Sequence, residues 1–311
     1  MNIRQLDYIL AVAEYRHFEF AAAKCFITQS TLSTMIAKFE DEIGIKIFDR
    51  KKKPLEVTLE GQVIIEQLRL IRGNFSQLEE MTQEIRGEIH GKLTLSVIPT
   101  IAPYLLPLFL PDFVAQHPQL HIEIREETTD EIIRKLRSRE LDIGILSTPL
   151  YEKDIREYPL YEEPFLLFDK QLRTKANVNI KELAFNQLCL LEEGHCMRTQ
   201  VLNLCELHRN KINAKLHFDY KAGSIDSLMR FVKASNASTL LPYLAAKELS
   251  KEDAINLHPF MAPIPMRTVG LIVHQHFVKK KLLIKLESKI KELLLPLLPQ
   301  TNEPVKILEP R

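Results

Sequence analysis

The 311-residue chain has no tryptophan, four cysteines, nine glycines and almost no net charge, 42 Lys and Arg standing against 41 Asp and Glu. Nine glycines and 17 prolines are too few for a collagen-like or low-complexity chain. A hydrophobic fraction of 45% is too high for a disordered one. Four cysteines do not make a disulfide scaffold at this length, so a reducing cytosol is the expected setting. The opening Met1-Asn2-Ile3-Arg4-Gln5 lacks the apolar run of a secretory signal. One uncharged stretch, Leu93–Pro111, nearly reaches spanning length, but Pro99, Pro103, Pro107 and Pro111 interrupt it. A lipid-facing helix would have to re-satisfy the backbone groups those prolines free. The stretch therefore reads as a buried strand, a turn and a helix begun by proline, and no membrane association is expected.

What is present begins with three short helical patterns. Leu6, Ile9, Leu10 and Ala13 share one face of a first helix, and Phe18, Ala21, Ala22 and Cys25 repeat the spacing. A third segment puts Leu32, Met35, Ile36, Phe39 and Ile43 on one face, with Thr28 as its N-cap. Its other face carries Gln29, Ser30, Thr31, Ser33, Thr34 and Lys38. Small hydroxyls and an amide there suit base edges in a major groove, and the lysine suits phosphate. Residues 1–61 hold nine cations and nine anions, so affinity for DNA has to come from placement. The concentrated patch is Arg50-Lys51-Lys52-Lys53 before Pro54 and the β-prone Leu55–Thr58. That reads as a basic hairpin wing along the phosphate backbone.

From Ile64 the apolar positions run Ile64, Leu68, Ile71, Phe75, Leu78 and, past Thr82, Ile85. Alternating steps of four and three define a helical seam, expected to pair with a second copy. Gly87 and Gly91 then mark a hinge. Beyond it, strands are expected at Lys92–Ile98, Leu120–Glu126, Leu141–Leu146, Phe165–Phe168, Gln187–Leu191, Leu216–Tyr220, Thr239–Leu241 and Val269–His274. Helices are expected at Ile101–Gln116, Thr129–Arg139, Ser224–Lys233 and Lys279–Leu295. The alternation argues an α/β fold with a mostly parallel sheet.

Chemistry concentrates in Leu190-Leu191-Glu192-Glu193-Gly194-His195-Cys196-Met197-Arg198, with Cys205 nine residues on. A helix N-terminus beside His195 and Arg198 favours the thiolate form of Cys196, and Glu192 and Glu193 oppose it. In one continuous helix, thiols nine residues apart lie on opposite faces, roughly 13 Å apart along the axis. A disulfide needs Cα atoms within about 7 Å, so a bond between them would require that helix to unwind. The alternative is that Cys205 is an ordinary buried small hydrophobe. Cys25 and Cys189 sit in apolar patterns and read as core.

Met1–Thr58, including the run Ala21–Ser33, resembles the winged helix-turn-helix of LysR-type transcriptional regulators. The block Ile98–Pro107 and the block Glu193–Cys196 with Cys205 resemble the peroxide-sensing branch of that family. The resemblance covers nearly the whole chain and fades after about Leu295. It implies a winged helix-turn-helix over 1–58, a linker and dimerisation helix over 59–90, and a regulatory α/β domain like the periplasmic binding proteins over 91–311. Its two subdomains would span about 91–162 with 268–300, and about 163–267. The resemblance also implies that Cys196 reacts with hydrogen peroxide and Cys205 resolves it, with Thr100, Thr129 and His195 holding the oxidant. Arg267 matches a family arginine supporting the reduced site. A further family histidine falls near His217 or Asp219, two residues being inserted before Ser224. Expected partners are promoter DNA with repeated half-sites, further copies forming a dimer or tetramer, RNA polymerase when activating, and cellular thiol reductants. No cofactor or metal is implied, and the expected location is the cytoplasm. Two departures stand out: Ser30 replaces the family's usual proline, and Thr58-Leu59-Glu60-Gly61 replaces its usual Thr-Glu-Ala-Gly.

A regulator answering a small organic effector, with incidental thiols, is the main alternative. A thiol peroxidase is disfavoured by the amino-terminal head, and a solute-binding protein by the missing signal. The cysteine reading makes a direct prediction. Cys205→Ser should cost the reduced protein ~1–3 kcal/mol if the new hydroxyl lacks a partner, measured by denaturant unfolding. Its redox response should be lost or blunted in a DNA footprint.

Overall fold

The structure is a computed structural model, and it describes residues 2–86, 90–172, 177–183, 188–192, 194–204 and 222–310. The chain divides into two compact units, Met1–Gly87 with Arg137–Glu140, and Glu88–Leu136 with Leu141–Arg311.

In the first unit, α1 (Ile3–Tyr15), α2 (Phe18–Lys24) and α3 (Gln29–Ile43) are followed by a hairpin of β1 (Phe48–Asp49) and β2 (Glu56–Val57), then by α4 (Leu59–Arg86). The apolar faces read from the sequence converge: Leu6, Ile9, Ala21, Leu32, Ile36 and Phe39 are buried with Ile65 and Leu68 of α4. Met35 departs from the expected pattern and is exposed, because the buried stripe of α3 is narrower than its apolar spacing suggests. The seam along α4 divides. Leu68 is covered by its own unit at 4% exposure, while Ile71, Phe75 and Leu78 stand 39%, 39% and 59% exposed. Glu40, fully buried on α3, accepts hydrogen bonds from the backbone N–H groups of Ile47 (2.8 Å) and Phe48 (3.1 Å). It thereby docks the hairpin onto the helix.

The second unit is built on β3 (Gly91–Val97), α5 (Ala102–Gln116), β4 (Leu120–Glu126), α6 (Thr129–Arg137), β5 (Ile143–Thr148) and β6 (Ile155–Phe168). It continues through α7 (Cys196–Leu204), α8 (Ile225–Ala234), β7 (Thr239–Pro242), α9 (Tyr243–Lys247), α10 (Lys251–Ala254) and β8 (Leu257–His258). It closes with β9 (Ile264–His274), α11 (Lys280–Leu294) and β10 (Val305–Ile307). Strand order is β4-β3-β5-β9-β6-β7, with β10 beside β9 and β8 beside β6.

The expected mostly parallel sheet is corrected to a mixed one. β3 runs parallel to β4 and β5, but β9 is antiparallel to both β5 and β6, and β6 is antiparallel to β7. The cause is two long strands of which only parts were expected. β6 begins at Ile155 rather than Phe165, and β9 at Ile264 rather than Val269. Their unforeseen halves carry Arg156, Glu157, Pro159, Glu162, Glu163, Pro164 and Arg267, which hide a strand from any count of hydrophobicity. Other differences are smaller. The expected strand Leu141–Leu146 is observed at Ile143–Thr148, and α6 ends at Arg137. Over the described part of Gln187–Leu191 there are only isolated bridges, Leu188 to Ser238 and Leu191 to Ala222. The expected strand Leu216–Tyr220 lies outside the described residues.

Two hydrophobic cores share this sheet. One joins β3, β5 and β9 to α5, α6 and α11, with Leu95, Phe109, Ile132, Leu271 and Leu286 among its members. The other gathers Phe165, Phe168, Met197, Val201, Leu228, Leu240 and Leu308. Among the described residues, no helix is long and apolar enough to cross a membrane.

Glu40→Ala should destabilise the first unit by about 2–4 kcal/mol, since two buried backbone donors lose a charged acceptor. The measurement is thermal unfolding of that unit within the full chain.

Candidate functional site

Cys196 is the first residue of α7. Gly194 ahead of it has φ +93°, in the left-handed region, and among the described residues a Cβ there would meet only Thr128 Cγ2 at 3.8 Å. The glycine is thus needed for the turn and not for space. This turn sets Cys196 between the two cores. Its side chain is buried in the first, and its neighbour Met197 in the second. The Cys196 thiol donates to the Ser147 hydroxyl on β5 at 3.6 Å, and Ser147 is fully buried.

Beside the thiol is a cavity of about 180 Å³ lined by Thr129, Asp130, Gly194, His195, Cys196, Thr199 and Pro310. Thr129 Oγ1, at the start of α6, is buried without a hydrogen-bond partner among the described residues. An unpaired buried hydroxyl is costly unless something small and polar meets it. His195 Nε2 lies 3.8 Å from Glu192 Oε1. Burial pulls the His195 pKa below its ordinary value, and Glu192 only partly opposes that. The imidazole beside the cavity is therefore neutral at neutral pH.

Thr100 and Arg267 do not line this cavity; they are bound to each other. Arg267 donates to Thr100 Oγ1 (3.1 Å) and to the Thr100 carbonyl (3.1 Å). It also donates to Glu163 Oε1 through Nε (3.0 Å) and Nη2 (2.8 Å). The second Glu163 oxygen accepts from the Leu244 N–H at 2.8 Å. All four groups are buried. Burial alone pulls the Arg267 pKa down, but Glu163 first, then Tyr161 and Cys196, push it up on balance. The guanidinium therefore stays charged within electrostatic reach of the thiol. Ser147 and Glu163 were not foreseen from the sequence. A serine in an apolar run and a glutamate between Glu162 and Pro164 carry no signal until the fold gives them partners.

The other thiols differ. Cys189 is buried in the second core, as expected, and burial pushes its pKa up. Cys25 is only half-buried at the end of α2 rather than core, and burial, then Asp7, pushes its thiol up. Cys25, Cys189 and Cys196 are all free. Cys205 and His217 lie outside the described residues.

On the first unit, Gln29, Ser30, Thr31, Thr34 and Lys38 are exposed on α3. Thr28 caps the helix by accepting from the Thr31 N–H at 3.2 Å, and its hydroxyl also contacts those of Ser30 (3.0 Å) and Thr31 (2.8 Å). This takes over the work of the missing proline. Lys51, Lys52 and Lys53 are exposed at the hairpin tip, with Lys52 paired to Glu56 at 2.6 Å. Arg50, though 38% exposed, is engaged by α2 and α3. It donates to Ser33 Oγ (3.0 Å) and Glu40 Oε2 (3.3 Å), and lies 5.2 Å over the Phe18 ring. Phe26, in the turn before α3, is 94% exposed with φ 56°, a residue that periodicity gives no reason to notice.

Residues 3–62 match the lysR family of bacterial regulatory helix-turn-helix proteins, and residues 86–282 match the LysR substrate binding domain. The DNA-binding transcriptional dual regulator OxyR of Escherichia coli K12 is 35% identical over 275 residues, 88% of this chain and 89% of that protein. A full-length OxyR variant of Pseudomonas aeruginosa has a TM-score of 0.76 at 30% identity, covering 94% of this chain and 98% of that one. Reduced OxyR of Porphyromonas gingivalis has a TM-score of 0.61 at 28% identity, covering 70% and 100%.

Two predictions follow from the buried polar groups. Glu163→Ala leaves Arg267 an unpaired buried cation and should cost about 3–5 kcal/mol, read by urea unfolding. Since the unfolded chain protonates His195 more readily than the folded one, stability should fall as pH drops below about 6.5. His195→Asn should remove that part of the slope in a pH series of the same unfolding measurement.

Proposed function

Since this chain belongs to the LysR family of transcriptional regulators, a family that is not enzymatic, we propose that it regulates oxidative-stress genes by sensing hydrogen peroxide at Cys196. The observation carrying this reading is the small polar cavity on the Cys196 thiol, with the unpaired hydroxyl of Thr129 and a neutral imidazole at its wall. At about 180 Å³ it is smaller than the roughly 300–1,000 Å³ of ordinary organic-ligand pockets. It has room for a molecule of a few heavy atoms that both donates and accepts hydrogen bonds. A surface groove of about 400 Å³ between α5 and α11 contains no cysteine. The naming of the relatives as hydrogen peroxide-inducible genes activators, in Haemophilus influenzae at 32% identity among others, agrees with the proposed stimulus.

In the proposed chemistry, the Cys196 thiolate attacks one peroxide oxygen and the O–O bond breaks. The sulfur becomes a sulfenic acid and the departing hydroxide takes a proton to leave as water. Thr129 and His195 orient the oxidant, and Arg267, locked by Glu163 and Thr100, supplies fixed positive charge nearby. The Cys205 thiolate then attacks the sulfenic sulfur, forming the Cys196–Cys205 bond and releasing a second water. A cellular dithiol resets it by exchange, being oxidised as the pair is reduced. His217 is carried as a further contributor to the site by resemblance alone.

The DNA-reading head is residues 1–58, with Gln29, Ser30, Thr31, Thr34 and Lys38 facing the groove, Lys51, Lys52 and Lys53 facing phosphate, and the half-buried Ser33 holding Arg50 instead of a base. Arg50 acts there mainly by holding the wing. Residues 59–90 form the pairing helix, its exposed Ile71, Phe75 and Leu78 covered by a second copy. Residues 91–311 form the sensor. Two dimers form a tetramer on repeated half-sites in cytoplasmic DNA, and RNA polymerase is the downstream partner.

After stoichiometric peroxide, non-reducing peptide mapping should recover a Cys196–Cys205 link, and Cys196→Ser should abolish both the link and the change in DNA footprint. Absence of the link in the wild type would sink the switch. A reporter response surviving in Cys196→Ser would point to another inducer.

A further inference from the structure

The last stretch, Pro304–Pro310, lies beyond the part of the sequence that carried the resemblance, yet it is bound along its length. The Pro304 carbonyl accepts from the Ile264 N–H at 2.9 Å. β10 then pairs in parallel with the beginning of β9, Val305 with Ile264 through Ile307 with Met266. The Leu308 N–H donates to the Met266 carbonyl at 2.7 Å. The Leu308 side chain is buried in the second core with Met197, Val201 and Leu204 of α7. Its carbonyl accepts from Gln200 Nε2, on the same helix, at 2.7 Å, and Gln200 is fully buried. Glu309 accepts from the Tyr151 hydroxyl at 2.9 Å. Pro310 forms part of the wall of the Cys196 cavity. The strand thus meets α7 through a side chain, a hydrogen bond and the cavity wall, while its other edge is tied into the sheet next to Arg267.

We infer that this carboxy-terminal strand clamps the reduced form of α7, with Gln200 and Leu308 as positioning residues that set how readily Cys196 enters a disulfide. The inference rests on the proposed Cys196–Cys205 switch. Cys205 directly follows Leu204, the last residue of α7, so bond formation requires α7 to unwind. Gln200 is in the middle of that helix, and unwinding removes it from Leu308. A contact made in only one of two states biases the equilibrium by its full differential strength. The clamp is therefore a weight on the dithiol side of the exchange. In that exchange, two protein thiols and oxidised dithiothreitol become one protein disulfide and two dithiothreitol thiols.

Full-length wild type, Leu308→Ala and Gln200→Met should be equilibrated in stepped mixtures of reduced and oxidised dithiothreitol, then alkylated. The Cys196–Cys205 link is quantified by mass spectrometry, and the Tm of the fully reduced and fully oxidised forms is recorded. The expected result is half-oxidation at a dithiothreitol ratio about tenfold more reducing in both variants. The Tm should be lowered in the reduced form and unchanged in the oxidised one. An unmoved midpoint with equal Tm losses in both forms overturns the clamp and makes Leu308 ordinary core. Should either variant fail to fold, Tyr151→Phe, which loses only the surface bond to Glu309, carries the same comparison. Its expected midpoint shift is about twofold to threefold, and no shift overturns the clamp. A wild type that never forms the link overturns the switch itself, a result visible before any variant is compared.

Discussion

Burying a guanidinium costs several kcal/mol unless its donors are met by fixed acceptors, and the second unit is arranged to meet that demand at Arg267. Glu163 supplies a carboxylate from β6, Thr100 a hydroxyl and a carbonyl from the turn between β3 and α5, and the start of α9 steadies the carboxylate's other oxygen. These partners are distant in sequence and meet only because β6 and β9 run antiparallel through the middle of the sheet, with Glu163 in register opposite Arg267. The two unforeseen half-strands and the charged pair thus explain each other. Strands carrying such residues are buried only as a pair, and the pair is satisfied only if the strands form.

That interdependence also explains what was legible beforehand. The amino-terminal helices were readable because each has one buried stripe, and Thr28 announces the start of α3. The α/β crossovers from Leu93 to Leu146 were readable because β3 and β4 place apolar residues at every second position and β5 is buried along its whole length. β6 and β9 were legible only where Phe165–Phe168 and Val269–His274 are hydrophobic. Their polar halves are stabilised by partners a hundred residues away, which no local pattern encodes. At the site, residue type and resemblance single out Cys196, His195 and Thr129, and all three line one cavity. They single out Thr100 and Arg267 as well, but these are bonded to each other and lie outside the cavity wall. Ser147 and Glu163 were missed because their chemistry resides in a neighbour.

The location of Cys196 gives the thiol its leverage. Consecutive residues, Cys196 and Met197, belong to different cores. Close-packed interiors do not deform continuously, so displacing the first residue of α7 obliges one core or both to repack. A chemical change of one sulfur can then be amplified without any long chain of intermediaries.

Arg50 has a related consequence at the other end of the chain. Its guanidinium is shared among Ser33, Glu40 and the Phe18 ring, and Lys52 is engaged by Glu56. Offering Arg50 fully to a phosphate would take it from the buried Glu40 carboxylate, leaving Lys46 at 3.8 Å as the cation on that oxygen. The four-residue basic run therefore expels fewer condensed counterions on binding than its formal charge suggests. Any hold of this run on a phosphate backbone should vary less steeply with ionic strength than four free cations would dictate.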